Sequence, residues 1–146
     1  MEGQSVDLGG RRIIKKEHTV AGGTILRERG YPEEIVHAIQ AHNEANGLGL
    51  SRNSAMAKVL YACDELSGLV YACCLVRPNG IDDLKPRSVV KKLKDKAFAA
   101  GVDRDQVARG IELVGLDRAE HIQNVIDGMR EVAEILEIRG GDLRRE

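Results

Sequence analysis

The chain has 146 residues with 22 basic and 23 acidic side chains, a net charge of -1, so no global field draws it to DNA or to anionic lipid. Apolar residues at 42% and charged residues at 31% fit an ordinary globular domain and argue against disorder, and the length predicts one domain. Three Tyr, one Phe and no Trp leave base-stacking nucleic-acid modules without their aromatic platform.

The opening MEGQSVDLGG has acids and glycines where a signal peptide carries a basic start and an apolar run, and no export is expected from it. From about residue 12 onward apolar residues recur every three or four positions and no run alternates, which predicts an all-α domain. A first helix is expected over 12–29, stopped by Gly30, with Gly22 and Gly23 inside it permitting close approach of a neighbouring backbone. Pro32 opens a second helix, which the Asn46–Gly49 stretch ends.

A third helix, 53–76, reads as apolar nearly all round and central to the fold. Its charge-free run, 66–76, is shorter than the about 20 residues a bilayer span needs, so no membrane partner is expected. Cys63, Cys73 and Cys74 fall in this helix. Cys63 and Cys74 stand 11 residues apart, roughly 16 Å along a helix and beyond disulfide reach, so they read as reduced core thiols of a cytoplasmic protein.

After a turn-rich stretch, 77–86, Ser88 is expected to cap a basic helix running to Gly101. Asp103 with Gln106, and Asp117 with Glu120, look like the starts of two more helices. The last carries the stripe Ile122, Val125, Ile126, Met129, Val132, Ala133 and Leu136. Residues 1–16 read as a polar segment, 17–138 as the helical domain and 139–146 as a frayed polar tail.

Neither a phosphate-cradling glycine loop nor a GxSxG or HExxH motif is present. Asp64 lies within the most apolar helix, where an ionised carboxylate calls for a hydrogen-bond partner or a metal, while its neighbour Glu65 turns toward water. His42 shares the inward face of Ile35 and Ile39, whereas His37 and His121 read as surface histidines.

The runs HTVAGGTILRERGYPEEIVHAIQAHN (18–43), AKVLYACDELSGLVYACCLVRP (57–78) and SVVKKLKDKAFAAGVDRDQV (88–107) together resemble the later two-thirds of an HD-domain protein of the HDIG-like, metal-dependent phosphohydrolase group. The resemblance implies an HD-domain-like helical bundle, N-terminally shortened, with His18, His42 and Asp64 as metal ligands and a divalent metal (Mn, Fe, Ni, Zn or Mg) as cofactor. It further implies a phosphoester or nucleotide ligand, with Arg77, Lys92 and Lys96 lining a phosphate pocket. No His in this chain is followed by Asp, and the pair that names the family is therefore missing. Phosphoester hydrolysis is accordingly expected to be weak or absent. The alternative is a non-catalytic oligomerisation or binding module completed by another chain, and a homo-oligomer is expected on either reading because apolar helix faces lose their cover.

Overall fold

A glycine at position 30 with φ 75° closes the first helix by a paired backbone lock, Gly30 N–H donating to Arg27 O at 3.0 Å and Tyr31 N–H to Leu26 O at 3.0 Å. The computed structural model describes residues 20–141, and among these the fold is all-α. Helix α1 covers 20–28, followed by α2 (Glu33–Ala41), a 3-10 turn (Glu44–Asn46), α3 (Ala55–Leu75), α4 (Pro86–Lys94), α5 (Arg104–Val114) and α6 (Arg118–Glu131). Among the described residues the extended backbone pairs only at an isolated antiparallel bridge, Gly80 with Arg139. None of the described helices is long and apolar enough to cross a membrane.

The chain divides into two compact units, Met1–Tyr61 and Ala62–Glu146, the division falling inside α3. In the first unit Gly23 of α1 faces the side chain of Gln40 on α2, whose Cδ would stand 2.6 Å from any added Cβ. The neighbour is a side chain and not the backbone that the glycine pair was expected to admit, and only Gly23 meets it, since nothing lies within 4 Å of a Cβ added at Gly22. Arg27 joins the same two helices, donating from Nε to Glu33 at 2.9 Å and from Nη2 to Gln40 Oε1 at 3.2 Å.

Helix α2 stops at Ala41, several residues before the glycine-rich stretch. Side chains satisfy its last carbonyls: the buried Asn46 amide donates to Gln40 O at 2.5 Å, and the His42 ring meets Ile39 O at 2.5 Å.

In the second unit α3 supplies Leu66, Leu69, Val70, Cys73 and Cys74 to a core completed by Ile81, Leu84, Val89, Val107, Ile122, Val125, Ile126, Ala133 and Ile138. Helix α4 packs on α6. Gly110 of α5 lets that helix close on α3, because an added Cβ would lie 2.7 Å from the Ala62 Cα. The three cysteines are free thiols.

The caps of α5 and α6 are the expected ones. Asp103 accepts from Gln106 N–H at 2.9 Å, and Asp117 accepts from Ala119 N–H at 2.8 Å. The basic helix differs from expectation at both ends: it starts at Pro86 rather than after Ser88, and it stops at Lys94 rather than Gly101. Proline suits a first helical turn, and beyond Asp95 the carbonyls turn inward onto Arg104 instead of continuing the ladder. At the C-terminal side, Ile81 N–H donates to Ile138 O at 2.9 Å and Arg139 pairs with Asp82 at 2.8 Å, tying the segment after α6 to the α3–α4 turn.

Candidate functional site

The exposed surface of α4 is strongly basic. Between Lys85 and Lys96 the sequence holds Lys85, Arg87, Lys91, Lys92, Lys94 and Lys96 against one carboxylate, Asp95. Burying Val89 fixes the rotation of the helix. At about 100° per residue, Arg87, Lys91 and Lys94 then fall within about 60° of one another. All three are exposed. Asp95 does not neutralise them through a side-chain pair, because its Oδ1 accepts from the Ala97 and Phe98 amides at 3.2 and 3.3 Å.

The expected phosphate residues occupy different settings. Arg77 donates from Nη2 to Asp83 Oδ1 at 2.7 Å, and Asn79 adds a bond to the other carboxylate oxygen at 3.1 Å. These two bonds, Arg77's first, hold the Asp83 carboxyl below its ordinary pKa. Lys92 lies over the Phe98 ring, its Nζ 4.2 Å from the centroid. Lys96 is exposed in the loop after α4. The cations that share an open face are therefore Arg87, Lys91 and Lys94, which the i,i+4 spacing of 87 and 91 could have signalled had the buried position been identified.

The loop after α4 is organised by the half-buried Arg104. Its guanidinium donates to Leu93 O at 3.4 Å, Asp95 O at 3.0 Å, Ala99 O at 3.1 Å, Val102 O at 3.0 Å and also to Phe98 O. A guanidinium has five donors in a planar fork and can reach five carbonyls, where a lysine has three donors on one nitrogen. Within this loop Ala99 holds a left-handed φ of 45°.

The expected metal set is corrected. Among the described residues no group of three or more His, Cys, Asp or Glu could hold a metal ion, which overturns the divalent-metal cofactor and the metal-binding assignment. His18 lies outside the described residues. His42 belongs to the first unit, and its Nδ1 is engaged by Ile39 O. Asp64 belongs to the second unit and is exposed, not buried. Its neighbour Glu65 takes the structural role, being half-buried and accepting the Asp103 N–H at 2.9 Å just before α5. The pattern misled because α3 is apolar nearly all round by residue type, yet one face of it is left open in this unit: Tyr71 and Leu75 are exposed like Asp64.

Two other histidines differ from expectation. His121 is buried at 4% exposure, with Nε2 3.2 Å from Ala62 O, because it sits one residue before Ile122 and four before Val125 on the inward stripe. His37 is half-buried, with Nε2 2.7 Å from Ser51 O.

In the first unit Tyr61 OH donates to Glu44 Oε1 at 2.9 Å, and Arg52 stacks on the Tyr61 ring at 3.9 Å while pairing with Glu44 at 3.4 Å. This cluster borders a pocket of about 320 Å³ that also contains Asn43 and Asn46.

No family model matches the chain, so the HDIG and phosphohydrolase signature expected from the resemblance is corrected to an all-α assignment. No solved structure matches either. Over 110 residues, 75% of its length, the chain is 30% identical to Ribonuclease Y of Oleidesulfovibrio alaskensis, and it spans 17% of that relative.

Proposed function

We propose that the chain is an HD-domain-like helical module that binds RNA by its phosphates and is not a self-sufficient phosphoester hydrolase. The observation that carries this reading is the open basic face of α4, with Arg87, Lys91 and Lys94 side by side and exposed. The similarity to a ribonuclease supports RNA as the phosphodiester, and the kinship with HD-domain proteins rests on the sequence runs between residues 18 and 107. With no aromatic residue on α4, recognition is electrostatic and indifferent to base sequence.

The test is fluorescence anisotropy of a labelled single-stranded RNA across a salt series. Three or four neutralised phosphates give a slope of about -2 to -3 in log K against log salt. Arg87→Glu with Lys91→Glu should weaken binding by at least about tenfold and flatten that slope. Cleavage of the same RNA by the purified chain should be weak or absent. Unchanged affinity in the double variant, or robust turnover, overturns the proposal.

A further inference from the structure

A groove of about 700 Å³ lies between α4 and α5 and reaches the turn before α6. Its aliphatic lining comes from both helices, the half-buried Val90 and Leu93 from α4 and Ile111 with the buried Val107 from α5, and from Leu116, which remains 39% exposed. Lys94, Arg109 and Arg118 also line it, against a single carboxylate, Glu112. Arg104 adds a further positive charge whose hydrogen-bond partners are carbonyl oxygens, which supply no countercharge. No aromatic side chain lines the groove, so nucleobases find nothing to stack on.

We propose that this groove docks an amphipathic helix with acidic flanks, presented by a partner protein. An apolar stripe at i, i+3/i+4 and i+7 meets the aliphatic lining, and Glu or Asp beside the stripe meets Lys94, Arg109 and Arg118. Charge complementarity selects this occupant. A neutral apolar helix brings no countercharge to Lys94 and Arg118, and a bare polyanion leaves the aliphatic side chains wet. The docking goes beyond RNA binding on the outer face of α4, and of the residues argued for the two surfaces they share only Lys94.

The experiment uses the full chain and a fluorescein-labelled peptide of about 16 residues, roughly four helical turns, with Leu at the stripe positions and Glu beside them. A scrambled peptide of the same composition and a single-stranded RNA are the comparison probes. Saturable binding of the amphipathic peptide alone is expected. Leu116→Ser and Arg118→Glu alter surface positions and should each weaken it by about tenfold, about 1.4 kcal/mol. Arg87→Glu with Lys91→Glu should leave peptide binding intact while impairing RNA, which separates failure of this proposal from failure of the RNA reading. Equal binding of the scrambled peptide, indifference to Leu116→Ser, or loss of RNA binding in Leu116→Ser overturns the docking proposal, as does no peptide binding at millimolar concentration. Circular dichroism of each variant confirms that the helices persist.

Discussion

Replacing Arg104 by Met keeps the aliphatic stem and removes every donor that gathers the loop after α4. Five carbonyls lose a charged donor at once, those of Leu93, Asp95, Phe98, Ala99 and Val102, although Asp95 O and Ala99 O each keep a backbone amide. A hydrogen bond to a charged group contributes about 1.5–3 kcal/mol, but the five share one guanidinium and are not additive. Much of the loop is exposed, and water replaces part of what is lost. A net cost of about 2–4 kcal/mol follows, near the upper end for single substitutions. In a chain of this size that is a fall of roughly 4–16 °C in Tm. Arg104→Lys, with a point charge in place of a fork, should recover less than half of the difference. Calorimetry gives the Tm, and hydrogen exchange gives a local readout at the Phe98 and Val102 amides, which donate to Asp95 O and Ala99 O within the loop. A Tm change under about 2 °C for Arg104→Met, with both amides still protected, would refute the claim that this guanidinium organises the loop.

Gly110→Leu forces bulk into a space where even a Cβ lies 2.7 Å from the Ala62 Cα, and it should cost about 3 kcal/mol or more by urea denaturation. Ala99→Gly relieves a left-handed φ of 45° and should stabilise by about 0.5–1 kcal/mol in the same assay. The depressed pKa of Asp83 means that its ties to Arg77 and Asn79 stabilise the fold above the ordinary carboxylate value and are lost as pH falls through the lower folded value. An NMR carboxyl titration of Asp83 should show that lowered midpoint, and Arg77→Gln should move it back up. Burial, with the neighbouring Cys73 thiol adding to it, raises the Cys74 pKa to about 11. Cys74 should therefore resist alkylation by iodoacetamide at pH 8 until the protein is unfolded, and its contribution to stability should decline only as pH rises from the ordinary thiol value toward 11.

Helix class, the Gly30 stop and the Asp103 and Asp117 caps were legible in the sequence, because each depends on residues within one turn of one another. So was the first half of the inward stripe of the last helix, Ile122, Val125 and Ile126, which are buried; the second half was not, because α6 ends at Glu131 and Val132 is 42% exposed. The true ends of α2 and α4 were not legible. Asn46 reaches back across the turn to Gln40 O, and Arg104 collects carbonyls from as far back as Leu93; neither contact has a fixed sequence spacing to read. The same holds for the charged groups. The sequence pattern puts Asp64 inward and turns Glu65 toward water, and the structure reverses the two: Glu65 accepts the Asp103 amide and Asp64 is exposed. Likewise six cations between 85 and 96 are plain in the sequence, but which of them share a face waited on the burial of Val89. Local hydrogen bonding and periodicity are written along the chain, whereas the partner of a charge and the open side of a helix are set by whichever distant segment packs against it.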